Sequence, residues 1–444
     1  MANRNTPVMK KFNLSATLFL IYILTGCAVS KQIGKQASAI LLKDSAISTG
    51  QIGICIYEPA TDKYWYRYDA SKYFIPASNT KLFTLYAGMK YLGDSLVGLR
   101  YREQKMGNEI ITEITPSGDP TFLHQDYINQ PVLSFLSQKR KVVINKLPYL
   151  KSYGSGWSWD DYPDTDMLPL GTFPMYGNVV KIKWLYKDSL FIYPQYFHKE
   201  SQKTDSFDNG FNLIKKFGDN QLIFTNGFDK RKTVSFQSDL FTCINLLKDT
   251  LPNLDIAYTN GYSVSFDKKD KIIHTQPTDS LFKPMMHRSD NFFAEQTLLM
   301  ASNEHLGYMS DEKIIDTLLK SDLKDIPQKP KWVDGSGLSR YNLFTPQSFV
   351  YMLNKMKNEF GLVRMKVILP TGGEGTLSSY YKKDAGFIYA KTGTLSNNCA
   401  LSGYLITNKG RLLVFSILAN NYITGATPVR RAVEQFLEGI RKKY

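Results

Sequence analysis

Phe74-Ile75-Pro76-Ala77-Ser78-Asn79-Thr80-Lys81-Leu82-Phe83-Thr84-Leu85-Tyr86-Ala87-Gly88-Met89 joins an apolar lead-in to a segment in which Leu82, Tyr86 and Met89 recur at helical spacing toward one face. The pattern predicts a serine at the start of a helix, with Lys81 one turn later on the same side. A lysine there is close enough to take the hydroxyl proton of Ser78. S-x-x-K is weak by itself, because it also starts at Ser265, Ser280, Ser310, Ser321 and Ser379. An N-cap serine beside a solvated lysine explains such copies. Only Ser78 combines the apolar lead-in with the helical continuation.

Two further motifs follow in order. Ser289-Asp290-Asn291 has a decoy in Ser396-Asn397-Asn398, and a helix cap would explain either, whereas Lys391-Thr392-Gly393 occurs once. That triplet follows the apolar run Ala385-Gly386-Phe387-Ile388-Tyr389-Ala390. It precedes two strand-like stretches, Ala400 to Thr407 and Arg411 to Ala419, joined by Asn408-Lys409-Gly410. It is therefore expected on a sheet strand, where Gly393 lets a substrate backbone approach and Lys391 and Thr392 meet a carboxylate. Nucleophile, proton relay and carboxylate anchor together describe a serine acyl transferase that uses lysine in place of histidine. Lys81 can act as the base only if its amine is largely neutral, and burial with a second cation nearby, Lys391, would lower its pKa.

With Gly118-Asp119-Pro120, Gly156-Trp157-Ser158-Trp159-Asp160-Asp161, Asp334-Gly335-Ser336-Gly337-Leu338-Ser339-Arg340 and Leu369-Pro370-Thr371-Gly372-Gly373, the ordered set resembles the class C low-molecular-mass penicillin-binding proteins. These form the D-alanyl-D-alanine carboxypeptidase/endopeptidase family, and the resemblance covers nearly the whole chain after its N-terminal segment. The chain departs from the family's pattern in a loop from Thr371 to Leu377 that is one residue shorter, in Glu374 where aspartate is common, and in Asn397 where glycine usually follows the triplet. The resemblance implies a penicillin-binding transpeptidase-like domain and hydrolysis of peptidoglycan stem peptides through an acyl-enzyme on Ser78, inhibited by β-lactams. It implies catalytic roles for Ser78, Lys81, Ser289 and Asn291, and a carboxylate site of Lys391, Thr392, Gly393 and Thr394. The backbone N–H groups of Ser78 and Thr394 would form the oxyanion hole. Asp161 matches an acidic residue that reaches the site from an inserted domain and could pair with an amino group of the stem. Trp157 and Trp159 are read as packing anchors. No metal or organic cofactor is required.

Rival readings differ in what they should show. A class A β-lactamase would not hold some two hundred residues between the first two motifs and should carry an E-x-x-L-N motif. A class C β-lactamase or esterase should show Y-x-N. A cell-wall-binding lipoprotein on an inactive scaffold would not be acylated on Ser78. The histidines His124, His198, His274, His287 and His305 form no H-E-x-x-H pair, which argues against a zinc peptidase, and there is no G-x-S-x-G elbow.

The N-terminus reads as a targeting segment: Lys10 and Lys11, an apolar run from Leu14 to Leu24, then Leu24-Thr25-Gly26-Cys27. It resembles a bacterial lipoprotein signal, in which residues 1–26 are removed and Cys27 is lipidated, placing the mature protein on the periplasmic side of the cell envelope as a membrane-anchored lipoprotein. Removal takes away Arg4, Lys10 and Lys11 and no acid, so the mature chain stays basic, from a formal net charge of +15. A dispersed basic surface or contact with anionic wall polymers would account for this. No K/R-rich run or aromatic motif argues for nucleic acid. Cys55, Cys243 and Cys399 show no metal spacing and are expected as core thiols.

The long interval between the first two motifs implies an insertion. Residues 31–95 and 275–444 would form the catalytic domain, 96–179 and 233–274 an inserted accessory domain, and 180–232 a nested one. Strands at Gln51 to Glu58 and Lys63 to Tyr68 would share an antiparallel sheet with the C-terminal hairpin. A last helix from about Pro428 to Lys442 presents Val429, Ala432, Val433, Phe436 and Ile440 on one face. That is an α+β arrangement. The inserted part, with β-branched and aromatic runs such as Val179 to Tyr186, reads as mainly strand.

Overall fold

The computed structural model describes residues 29–146, 150–162, 164–184, 190–204, 213–225, 231–262 and 270–444. Residues 1–26 and Cys27 lie outside them. After a helix α1 over residues 29–37, strands β1 (Gln51–Glu58) and β2 (Lys63–Tyr68) form a hairpin, and a short 3₁₀ turn (Ala77–Thr80) leads into α2 (Lys81–Tyr91). Both strands have the bounds expected from the sequence.

The chain then builds β3 (Ser95–Met106), β4 (Glu109–Pro116), α3 (Pro131–Leu136), β5 (Lys141–Lys146), β6 (Val179–Trp184), β7 (Leu190–Tyr193), β8 (Ser201–Lys203), β9 (Leu213–Lys215), β10 (Leu222–Phe224), β11 (Arg231–Ser235), α4 (Leu240–Thr250), β12 (Asp255–Tyr262) and β13 (Lys271–Pro277). These strands form a mixed sheet in the order β12-β5-β4-β3-β13 and two three-stranded sheets, β11-β6-β7 and β8-β10-β9. One apolar cluster, with Leu99, Ile114, Ile182, Phe197, Phe236 and Leu247, ties them together.

The remainder is helical before it closes on a hairpin: α5 (Thr278–His287), α6 (Asn291–Leu306), α7 (Asp311–Lys320), α8 (Pro346–Phe360), α9 (Leu362–Ile368), β14 (Ile388–Leu395), β15 (Asn398–Ile406), β16 (Leu412–Asn420) and α10 (Ala426–Lys443). β1 pairs with β16 from Gln51↔Asn420 to Tyr57↔Val414, so the two ends of the chain share one antiparallel sheet in the order β14-β15-β16-β1-β2. β1, β15 and β16 read as nearly unbroken apolar runs because both sheet faces are covered. Val429, Ala432, Val433, Phe436 and Ile440 of α10 pack on one face with Ile52, Ile54 and Ile417. Phe83, Tyr86, Phe293 and Phe349 pack on the other with Cys55, Tyr404 and Val414. The fold is α+β.

α2 departs from the one-sided helix expected. Every residue from Lys81 to Met89 is buried, the charged Lys81 included. The helix is the central pillar, packed against α6, α8 and α5, so it has no solvent face to leave a pattern. Cys55, Cys243 and Cys399 are free, buried thiols, and burial pushes the pKa of each upward. Among the described residues no helix is long and apolar enough to cross a membrane.

Candidate active site

Ser78 is held by its neighbours on both sides. Phe74 exchanges backbone hydrogen bonds with Phe344, and Asn420 grips both the N–H and the carbonyl of Ile75. Ala77 then adopts φ +48°, a left-handed conformation that costs on the order of 1–3 kcal/mol in a residue with a side chain. Two glycines allow the surrounding loops to close on this turn. A Cβ at Gly337 would lie 2.0 Å from the Ala77 carbonyl oxygen, and one at Gly393 would lie 2.6 Å from that of Pro76. Gly393 is therefore a glycine because the protein's own Ser78 segment crosses it. This packing reason stands beside the expectation that it makes room for a substrate backbone.

Lys81 is fully buried, and its Nζ lies 3.0 Å from Ser78 Oγ, 2.6 Å from Asn291 Oδ1 and 2.7 Å from the Ser336 carbonyl oxygen. Burial brings its pKa down to about 8, against the upward pull of Glu295, Asp334, Asp290 and Asp166. Lys391, also fully buried, donates to Ser289 Oγ at 2.8 Å and to the Thr392 carbonyl at 2.8 Å. Its pKa falls well below the ordinary value through burial, then through Lys81 and Arg430. The electrostatic asymmetry differs from the expected one. Four acidic groups favour the charge on Lys81, whereas Lys391 faces Arg430 as well as Lys81, and the repulsion between the two lysines is mutual.

The three residues Ser289, Asp290 and Asn291 point three ways. Ser289 sits at φ +61° and meets Lys391. Asp290 caps α6 by accepting from the Phe293 N–H at 2.9 Å. Asn291 opens α6, giving its oxygen to Lys81 and its amide to the Asp166 carbonyl at 2.9 Å. On β14, the Ala390 N–H donates to the Pro370 carbonyl, on the edge away from β15. Backbone groups alternate with a period of two, so the N–H groups of Thr392 and Thr394 face that same free edge, beside the Ser78 segment. The Thr392 hydroxyl lies 2.7 Å from that of Thr376.

A cleft of about 670 Å³ opens over these groups, lined among others by Ser78, Ser289, Asn291, Thr392, Thr394 and Asp161. Asp161 ends a 3₁₀ turn of the inserted part (Trp159–Asp161). Its pKa is raised by burial and by Asp166, with Arg340 opposing. The two tryptophans behave differently. Trp157 anchors its loop by donating to Asp334 Oδ2 at 2.9 Å, whereas Trp159 is 61% exposed and stacks on Tyr162.

Residues 34–183 and 271–443 match the D-Ala-D-Ala carboxypeptidase 3 (S13) family. The chain belongs to the S13 family. It is 32% identical to carboxypeptidase DacB of Mycolicibacterium smegmatis over 162 residues, 34% of this chain and 35% of that relative. That alignment thus spans about a third of the relative's length. The fold is similar to penicillin-binding protein 4 (dacB) of Haemophilus influenzae, with a TM-score of 0.72, 18% identity and coverage of 92% of this chain and 99% of that one. A second structure of that protein, complexed with a β-lactam, gives a TM-score of 0.67 at 16% identity over 92% of this chain and 99% of that one.

In this S13 chain the residues missed by motif reading act through tertiary contacts. Ser336 contributes a carbonyl oxygen, which no side-chain pattern reveals. Its loop is fixed by Asp334, which accepts from Gly337 and Ser339 N–H, and by Glu295, which accepts from Gly335 and Ser336 N–H at 2.9 and 2.7 Å. Burial and then Asp334 push the Glu295 pKa up to about 8. One signal was available: Glu295 stands four residues after Asn291, on the same side of α6. Arg430 of α10 also lines the cleft and donates to Thr394 Oγ1, with nothing in the sequence around it to mark it.

Proposed function

We propose that this S13 chain is a serine D-alanyl-D-alanine carboxypeptidase and/or endopeptidase acting on peptidoglycan stem peptides. The observation that carries the reading is the buried Lys81 amine 3.0 Å from Ser78 Oγ, with a pKa brought down to about 8. Near neutral pH a useful fraction of such an amine is unprotonated, as a general base requires. Ser78 Oγ attacks the carbonyl of the terminal D-alanyl-D-alanine bond as Lys81 takes its proton. The oxyanion is stabilised by the backbone N–H groups of Ser78 and Thr394, an arrangement worth roughly 10²–10³ in rate per donor. Ser289, which accepts a hydrogen bond from Lys391, relays the proton that Lys81 took from Ser78 to the leaving amine as the C–N bond breaks. Asn291 keeps Lys81 in register. Water then cleaves the ester of the acyl-enzyme.

Thr392 and Thr394 line the carboxylate end of the cleft, with Gly393 between them and Lys391 buried behind, and Asp161 faces it from the inserted part, where it would meet an amino group of the stem. β-Lactams would acylate Ser78 and stay there, because the ester they leave hydrolyses slowly. We further propose that Cys27 is lipidated after removal of residues 1–26, which places the enzyme on a membrane of the cell envelope facing the wall. The support for this is the sequence signal. The separate sheet β14-β15-β16-β1-β2 supports a catalytic part (31–95 and 275–444), and the sequence reading supports division of the inserted part into an accessory domain (96–179 and 233–274) and a nested one (180–232).

The test is labelled penicillin on the purified protein and on Ser78→Ala, followed by digestion of cell wall with identification of muropeptides by mass. A stable adduct lost in Ser78→Ala, with release of D-alanine or cleavage of cross-links, is expected. Labelling that persists in Ser78→Ala overturns the assignment.

A further inference from the structure

A carboxylate entering this cleft needs a positive charge it can touch, and Lys391 does not offer one. Its side chain is fully buried, it is absent from the cleft wall, and its Nζ is taken by Ser289 Oγ and the Thr392 carbonyl. Arg430 stands in front of it. It rises from the second turn of α10, lines the cleft and spends one N–H on Thr394 Oγ1. Among the described residues it makes no ion pair; its other neighbours are the Cys399 thiol and the Tyr380 ring, the latter 6.0 Å away. A guanidinium is a permanent cation with a planar fork of donors, so it can hold the Thr394 hydroxyl and still present N–H groups to a carboxylate oxygen. The acidic groups of the cleft, Asp160, Asp161 and Asp166, come from the inserted part; of the other cleft arginines, Arg288 is paired with Asp126 and Asp290 and Arg340 acts on Asp161, which leaves Arg430 as the cation at the Thr394 end. That polarity matches a peptide with an amino group along its stem and a carboxylate at its end.

We infer that Arg430, with the hydroxyls of Thr392 and Thr394, is the residue that binds the C-terminal carboxylate of the substrate, and that Lys391 serves Ser289 behind it. This rests on the function proposed above. It assigns Arg430 a role in substrate selection: it favours peptides that end in a free acid.

The experiment compares kcat/KM for two synthetic stem peptides, one ending in D-alanyl-D-alanine acid and one in the C-terminal amide, in wild type, Arg430→Gln and Arg430→Lys. Glutamine keeps a donor for Thr394 without the charge. The acid-to-amide ratio should fall about 10–100-fold in Arg430→Gln, the size expected when a charged hydrogen bond is lost, and hold better in Arg430→Lys. A residue that only shapes the β14 edge would lower both peptides together, so an unchanged ratio overturns the inference. A wild-type protein that cleaves neither peptide and takes up no labelled penicillin rejects the enzyme reading itself, a result distinguishable from failure of Arg430 alone.

Discussion

Lys391 Nζ lies 2.8 Å from Ser289 Oγ, a separate contact from that between Lys81 and Ser78 at 3.0 Å. The two lysines are thus assigned to two serines, one pair for attack and one for the leaving group. Residues that work as a pair lose little more when both are removed than when one is. Ser289→Ala and Lys391→Ala should each slow penicillin acylation, and the double variant should be within about threefold of the slower single one. Effects that multiply in full would separate the two residues.

The lowered pKa of Lys81 sets the direction of the pH dependence. Its neutral form is the base, so acylation by penicillin should rise with pH, by about tenfold per unit below an inflection near pH 8, and level off above it. Lys81→Arg replaces the amine with a guanidinium that does not give up its proton, and should abolish acylation at every pH. A flat profile between pH 6 and 9 in wild type would remove Lys81 as the base.

Gly393→Ala tests the packing of the Ser78 segment. The new Cβ would meet the Pro76 carbonyl at 2.6 Å, and the segment it displaces carries the nucleophile. A shift of about 1 Å is enough to cost roughly 10²-fold in rate. Acylation should fall by about that factor while the protein remains folded by circular dichroism. Full activity in this variant would mean that the contact relaxes elsewhere.

Glu295→Gln tests the loop beneath Lys81. A carboxyl group accepts from both Gly335 and Ser336, whereas an amide offers one oxygen and turns a donor toward the second N–H. One buried N–H is left without a partner, a loss of about 1–3 kcal/mol visible in urea unfolding. Acylation should slow as well, because the Ser336 carbonyl that holds Lys81 belongs to the same loop.

Lipidation predicts that the native protein partitions with membranes and that Cys27→Ser is left unprocessed or released. A soluble wild-type protein cleaved at the same point would count against the lipid.

Much of the fold was legible because local periodicity survives wherever an element has a distinct face or a marked turn. β1 is an apolar run ended by the turn at Asp62, Asn408-Lys409-Gly410 marks the turn between β15 and β16, and α10 keeps its apolar stripe because its other side meets water. The order of the three motifs was also sufficient to name the five groups that the structure brings together: Ser78, Lys81, Ser289, Asn291 and Lys391. What needed the tertiary structure were facts about neighbours far apart in the chain. The total burial of α2, the crossing of Gly393 by the Ser78 segment, the Ser336 carbonyl on Lys81 and the arrival of Arg430 at Thr394 leave no spacing to read. Asn79 donates to the carbonyl of Lys391 across 312 positions of sequence. Period and order are written in consecutive residues, whereas burial, and with it the pKa of each lysine, is set by which elements close around a group once the whole chain has packed.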